Sequence, residues 1–428
     1  ILGRRLAADR LARPGGVWRS PRDLFTVPVL DPAIVAASRE RLIVRTPGDA
    51  AALSLLWIAL GLGSLAGCYW FQRRVSADSD PWLLGLAAIP SGLALAVAVG
   101  AGDPLRDALS IPHAASGLVA SAAAYSMAIW LLGLRHSTDA TRGDGWLLQA
   151  AFWPAIWFIA CLAGGKGARF GLPGIVYAGP MAVGFAIATT LRHLGAVAPD
   201  RTRLRKTARP ASLDGTLGLI ALAVTIAGMV LVWFACRSVG LVVVTGLSCA
   251  ALMFVVDLRL WSVLAVGGTF LFSWIGLGMD SGSADAMRTW LNPWTGRTSI
   301  PSMAHALWGL ATGGPFGSGL GLGEPSSLHG PMVPAAIGEE LGTPGVLILL
   351  LAMTGLVWRA SGAAVRGCTD RDRLLAAAFA CVLATHTVLA SLGAVGLLPL
   401  FDVHLPFASD SRLLQIAWFG ALGGLAAI

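Results

Sequence analysis

Apolar residues run through this chain in long blocks, and the polar residues between them are few and bunched. An apolar run of about 18 residues or more is long enough to cross the hydrocarbon core of a bilayer as a helix. Blocks of that kind predict eleven spans, over residues 51–71, 82–101, 112–134, 146–163, 171–191, 215–236, 238–256, 260–278, 335–359, 374–395 and 406–428. The pattern therefore predicts an all-α polytopic membrane protein, a helical bundle of 10–11 transmembrane helices with one long outer loop. Residues 51–428 form its transmembrane domain, and residues 1–50 form a basic N-terminal segment. That segment lacks the apolar core of a cleavable signal peptide. A chain that opens on Ile1 and closes inside the apolar run at Ile428 reads as a piece of something longer.

The polar stretches set the topology. Residues 192–214 carry Arg192, Arg201, Arg203, Arg205, Lys206 and Arg209, and Arg366, Arg371 and Arg373 mark a second basic loop. Short basic loops stay on the cytoplasmic side. Counting spans between the two places residues 279–334 on the outer face. The same count puts residues 1–50 outside despite nine Arg against five acids. Long segments cross regardless of charge; the alternative is one early span that does not cross.

Composition agrees with this picture: 56% hydrophobic, 13% charged, mean hydropathy +0.72. The net charge of +8 rests on 29 Arg and 2 Lys, a bias that GC-rich codon usage explains. These charges flank helices, which fits contact with membrane lipids and gives no case for nucleic acid. Binding of substrate phosphates by Arg is the lesser alternative. The six Cys lie in or beside apolar runs without a CxxC pair. They read as small buried hydrophobes, with no disulfide or metal framework.

Candidate chemistry concentrates in Thr312–Gly321, a glycine-rich loop, and in Gly338-Glu339-Glu340-Leu341-Gly342. Acids this close to a span are costly unless solvated or paired, so they point to a polar cavity open to the outer face. Acids in a first helical turn also complement the helix dipole, so Glu339 and Glu340 divide between capping and a functional role. The outer loop further carries Asp280, Asp285, Arg288, Trp290, Asn292, Trp294, Arg297, His305, Glu324 and His329. Such a set suits a headgroup bearing phosphate and sugar, or a solvated loop with interfacial tryptophans.

Lys166 and Arg169 form a basic cluster on the outer side, against the positive-inside bias, and either face a phosphate or snorkel. Prolines in Leu398–Asp410 prevent a continuous helix and suggest a re-entrant segment, with Asp402, His404 and Asp410 as cavity candidates. A structural pair between Asp410 and Arg412 is the alternative. His113, His136 and His386 are isolated and read as core or loop histidines. The Gly-x-Gly-x-Gly at 317–321 follows no strand, which argues against dinucleotide binding. No Gly-x-Ser-x-Gly, His-Glu-x-x-His or Asp-rich metal loop occurs. A divalent cation is the one cofactor that remains open.

In this order the motifs resemble the SEDS family (FtsW/RodA/SpoVE-like). Ser302–Gly342 resembles the family's outer loop, which runs through "GG-x-FG-x-GLG" to "GEELG". Pro399–Ser409 resembles "LP-x-TG-x-x-LPF-x-S", and Gly167-Ala168-Arg169 is similar to "GARRW". The resemblance covers roughly residues 80–428. It implies ten spans, with 51–71 as an addition. It also implies a peptidoglycan glycosyltransferase of cell division or cell shape that polymerises undecaprenyl-linked lipid II on the outer face of the bacterial plasma membrane. Such proteins usually work with a partner transpeptidase.

The family's catalytic Asp, in "TDFIFA", falls on Pro331 here. The Glu of "QPSE" is absent from Gly179-Pro180-Met181-Ala182, and "PDLGT" reads Arg237-Ser238-Val239-Gly240-Leu241. The Gln before the glycine pair is His305, and the Tyr after "LPF-x-S" is Asp410. A sugar hydroxyl attacking an anomeric carbon must shed its proton. A carboxylate serves as base for that step, and proline cannot. The remaining catalytic candidates are Glu324, Glu339, Glu340 and Asp410. The substrate-binding candidates are Lys166, Arg169, Trp294, His305 and His329. Two readings stay open: a divergent lipid-linked glycosyltransferase, or an inactive scaffold that binds the lipid-linked substrate or a cell-wall partner. A lipid-linked precursor transporter is a third, disfavoured by the scarcity of intramembrane charge pairs.

Overall fold

The structure is a computed structural model that describes residues 47–75, 79–100, 109–136, 179–193, 211–236, 238–294, 302–322, 330–367, 370–399, 403–409 and 411–427. Twelve helices occur among the described residues: α1 (Pro47–Val75), α2 (Pro81–Gly100), α3 (Ile111–His136), α4 (Gly179–His193), α5 (Ala211–Cys236), α6 (Val239–Val255), α7 (Arg259–Met279), α8 (Ser281–Leu291), α9 (Ser302–Gly313), α10 (Val333–Arg366), α11 (Asp370–Ala394) and α12 (Arg412–Ala426). Ten of the eleven expected spans coincide with helices, and the span at 146–163 lies outside the described residues. Six of the helices, α1, α2, α5, α7, α10 and α11, are long and apolar enough to cross a membrane. The chain is a multi-pass membrane protein. Its last helix begins at Arg412 rather than 406, because Leu405-Pro406-Phe407 is held in a turn.

Contacts fix the helix directions. Gly61 of α1 lies against Leu95 of α2 and against Ala115 and Leu118 of α3, and the Cys68 thiol donates to the Ala122 carbonyl at 3.1 Å. Helices α1 and α3 are therefore parallel, with α2 running back between them. At the other side of α3, Gly117 meets Arg412 and Gln415, while Gly423 rests on Tyr125, so α12 is parallel to α3 as well. Helix α10 opposes α2: Glu340 meets Gly100, Gly355 meets Leu86, and Arg359 pairs with Asp80 at 3.1 Å. From Glu340 to Arg359, α10 rises about 28 Å at 1.5 Å per residue, close to the hydrocarbon thickness.

Two apolar cores result. One joins α1, α2, α3, α10, α11, α12 and residues 403–408. The other joins α4 to α7 with the first part of α11. Phe270, Leu271 and Trp274 of α7 are left outward for lipid.

Arg73, Arg74, Asp80, Arg359, Arg366 and Arg373 gather at one end of the bundle. The positive-inside bias makes that end cytoplasmic. The opposite, outer end collects the end of α2, the starts of α3, α10 and α12, and α8 and α9. There Trp290 of α8 donates to the Gly396 carbonyl at 2.9 Å. The described residues 280–294, 302–322 and 330–334 lie at this end, and α1 begins on the same side.

Helices in lipid gain little from apolar burial against one another, so close packing and internal polar contacts carry their association. The clearest polar contact is at the cytoplasmic end. Gln72 of α1, fully buried, donates to the Ser79 hydroxyl at 2.8 Å and to the Asp80 carbonyl at 3.2 Å. It accepts from the Tyr125 hydroxyl at 2.8 Å. Asp80 in turn pairs with Arg359. This clasp ties α1 to α2, α3 and α10.

Removing the Tyr125 hydroxyl with Tyr125→Phe leaves a buried acceptor on Gln72 without its donor. The expected cost is about 1–3 kcal/mol, read as a lower Tm in detergent. Phe316 at the loop tip is 90% exposed, and Arg366 is exposed at the other end. An impermeant maleimide should label Phe316→Cys from the outer side of intact cells, and Arg366→Cys only after permeabilisation.

Candidate functional site

Helix α10 follows a short 3-10 turn, Gly330–Met332, and breaks at Gly342, nine residues after its start at Val333. At Gly342 the backbone adopts φ 68°, ψ −162°, a region almost reserved for glycine. Pro344 makes the break necessary. It has no N–H for the Glu340 carbonyl four residues back, and it disfavours a helical residue before it. The glycine-rich loop supplies what the helix lacks. Ser318 donates to the Glu339 carbonyl through both its amide and its hydroxyl, each at 2.8 Å. The Gly319 amide donates to the Glu340 carbonyl at 3.1 Å. The Thr343 amide and hydroxyl donate to the Gly314 carbonyl at 3.1 and 3.2 Å. The loop and the "GEELG" segment are two halves of one joint.

This geometry corrects the capping reading of the two acids. Glu339 and Glu340 are not in the first turn of α10. They close the short helical piece before the break, at a carbonyl end where the dipole disfavours negative charge. Both are buried, at 7% and 6% exposure. They also diverge, as neighbours about 100° apart on a helix must. Glu339 points at α9, its Oε2 3.0 Å from where a Cβ on Gly309 would lie. Glu340 points at α2, its Oε1 2.9 Å from the corresponding position on Gly100. The Glu340 carboxylate accepts from the Gly321 amide, and its Oε2 has no partner among the described residues. A buried polar atom without a partner is uncommon and expensive.

A cleft of about 170 Å³ adjoins the joint, lined by Leu310, Gly314, Gly338, Gly342, Thr343 and Val346. Its lining is largely apolar and carries neither acid, so the carboxylates do not share it. Pro331 sits half-buried in the 3-10 turn.

Residues 403–409 are non-helical and buried, as their prolines implied. Their free backbone groups find side chains: Ser91 of α2 donates to the Phe407 carbonyl at 2.8 Å, and Gln415 to the Ser409 carbonyl at 2.7 Å. His404 is buried and bonds the Ser409 hydroxyl at 3.1 Å. It is an internal strut of this segment and not the cavity residue expected from sequence. His386 lies in the core with its ring 5.3 Å from that of Trp418, edge to face.

Among the other candidates, Trp294 is exposed just after α8. His305 lies half-buried in α9, one turn before Gly309 and on the face that meets Glu339. Asp280 caps the start of α8 by accepting from the Ser283 amide, and Asp285 pairs with Arg288 in solvent. Lys166, Arg169, Glu324, His329, Asp402 and Asp410 lie outside the described residues. Among the described residues, no three His, Cys, Asp or Glu are grouped to hold a metal ion. Ser318 and Gly100 escaped the sequence reading. Pro344, two residues past Gly342, signalled the break, but nothing local links Gly100 to Glu340.

A family model for the FtsW/RodA/SpoVE cell cycle proteins matches residues 196–422, more than half of the chain. The chain belongs to the FtsW/RodA/SpoVE family. It is 32% identical over 146 residues to the peptidoglycan glycosyltransferase RodA of Mycobacterium leprae, covering 33% of this chain and 31% of that one. It is 31% identical over 141 residues to a probable peptidoglycan glycosyltransferase FtsW of a Geobacter species, covering 31% and 38%. It is 27% identical over 170 residues to the stage V sporulation protein E of Bacillus subtilis, covering 38% and 46%. The chain thus spans about a third to a half of the length of these relatives. A solved chain from a peptidoglycan synthase complex that coordinates polymerization and crosslinking has the same fold. Its TM-score is 0.56 at 18% identity, over 82% of this chain and 97% of that chain.

The contact between Gly100 and Glu340 leaves no room for a methyl group. Gly100→Ala should destabilise the protein by about 1–3 kcal/mol through overpacking, read as a lower Tm. Gly92 of the same helix has nothing within 4 Å of its Cβ position. Gly92→Ala is therefore the control and should leave Tm at or above the wild-type value.

Proposed function

We propose that this protein serves cell-wall synthesis in the bacterial plasma membrane as a glycosyltransferase acting on an undecaprenyl-linked, lipid II-like substrate at the outer face. Glu340 is its base. The observation that carries this reading is the unpartnered Oε2 of Glu340, buried on the outer side of the bundle where the two family motifs meet. In the reaction a sugar hydroxyl attacks the anomeric carbon of the lipid-linked donor, and the bond from that carbon to the diphosphate breaks. The hydroxyl proton passes to a carboxylate, which contributes typically 10²–10⁴-fold. Negative charge grows on the departing diphosphate. Lys166 and Arg169 are the chain's own candidates to neutralise it, and a divalent cation held on the diphosphate is the cofactor this reading accommodates. Trp294, His305 and His329 are proposed to contact the sugars, with Glu324, Glu339 and Asp410 as secondary acids. The relatives named as peptidoglycan glycosyltransferases support the substrate class. The fold likeness to a synthase complex supports a transpeptidase-type partner.

A second reading is favoured by the sequence: Pro331 stands where the resemblance to the family places its catalytic acid. In that reading the protein binds the lipid-linked substrate or a cell-wall partner without turnover.

Polymerisation of purified lipid II by the purified protein with its partner separates the two. Glu340→Gln should lower the rate about 100-fold or more with Tm unchanged. Wild-type turnover by this variant would remove Glu340 from the mechanism. Absence of polymer from the wild type, with lipid II still bound, would establish the second reading.

A further inference from the structure

The helix that carries Glu340 does not by itself orient its carboxylate. The break at Gly342 follows two residues later, so the end of the helical piece has no continuing turn to hold it. What holds it is the loop. Gly321 donates its amide to the carboxylate, and Gly100 backs the same carboxylate from α2. The placement of the Gly321 amide therefore sets the direction in which Oε2 faces. Residues 314–322 read Gly-Pro-Phe-Gly-Ser-Gly-Leu-Gly-Leu, so Ser318 carries the one polar side chain of the loop. Glycines impose little restraint of their own, and such a loop keeps its shape through its hydrogen bonds.

We infer that Ser318 is the positioning residue for the Glu340 carboxylate. Its amide and its hydroxyl both donate to the Glu339 carbonyl, an acceptor with two lone pairs, each at 2.8 Å. Two donors on one acceptor fix the loop in rotation as well as in distance. With Gly319 then on the Glu340 carbonyl, the next two residues carry the Gly321 amide to the side chain. Thr343 binds Gly314 at the other end of the loop and does not itself hold residues 318–321. The inference rests on the assignment of Glu340 in the proposed function and extends it to the residue that aims it.

The test has one readout independent of turnover. Dicyclohexylcarbodiimide modifies carboxyl groups in membrane proteins, and the modified Glu340 is located by mass spectrometry, with Glu340→Gln as the unlabelled control. Ser318→Ala should raise the labelling rate about threefold or more, the equilibrium effect of one lost hydrogen bond. Ser318→Thr keeps the hydroxyl and should label at the wild-type rate. If the alanine variant does not fold, Ser318→Cys preserves volume with a weak donor and should label faster in the same way. In the polymerisation assay Ser318→Ala should lower kcat about ten- to a hundred-fold, as expected for a misplaced reacting group, with KM for lipid II unchanged and kcat recovered in Ser318→Thr. Equal labelling in Ser318→Ala, or a Ser318→Thr variant that labels like Ser318→Ala, overturns the inference. A wild type that labels as expected but makes no polymer leaves the positioning role standing and removes only the proposed reaction.

Discussion

The architecture turns on two main-chain carbonyls that a helix in a membrane leaves without donors. In hydrocarbon every such group needs a partner within the protein. Pro344 withholds the donor from Glu340, and Gly342 turns the backbone away from the helical path. Ser318 and Gly319 provide the replacements from a loop that lies outside the helix in sequence. Once the loop is fixed in this way, its far end reaches Gly100, and α2 is drawn into the same arrangement. Helix α2 then also receives the buried 403–409 segment through Ser91. Two stretches of irregular backbone are thus satisfied against one wall, which explains why both occur at the outer end.

The spans were legible because apolar length is a strong and local signal, and ten of eleven were recovered as helices. The non-helical character of 403–409 was legible for a similar reason, since proline disfavours the regular alternative. The capping half of the reading of Glu339 and Glu340 fails because a first-turn position was inferred from where apolar residues begin. The true start of α10 lies at Val333, two turns earlier, and the acids close a helical piece instead of opening one. His404 was misread because a buried polar segment supplies its own hydrogen bonds, and sequence does not say whether a histidine faces water or its neighbours. The meeting of Gly100 with Glu340 had no signature at all. It depends on the register of α2 against α10, which long-range packing decides.

Pro331 and Glu340 pull the functional reading in opposite directions, and the fold explains how both exist in one chain. Proline suits the short turn that opens α10, where an orphan amide costs least. Glu340 lies nine residues further on, two helical turns deeper and behind the loop. An acid there is shielded from solvent and has one oxygen open. In the proposed reading the acid stands at an enclosed position rather than at the half-buried turn of Pro331.

The lock between loop and helix is built mostly from main-chain atoms, with Ser318, Thr343 and the Glu340 carboxylate as the exceptions. Its main-chain bonds do not depend on which side chain stands at 331. A lineage carrying such a lock has freedom to trade one acid for another, or to surrender turnover altogether, while every helix keeps its place. The scaffold outlives its chemistry, which is how divergent members of one fold come to do different work.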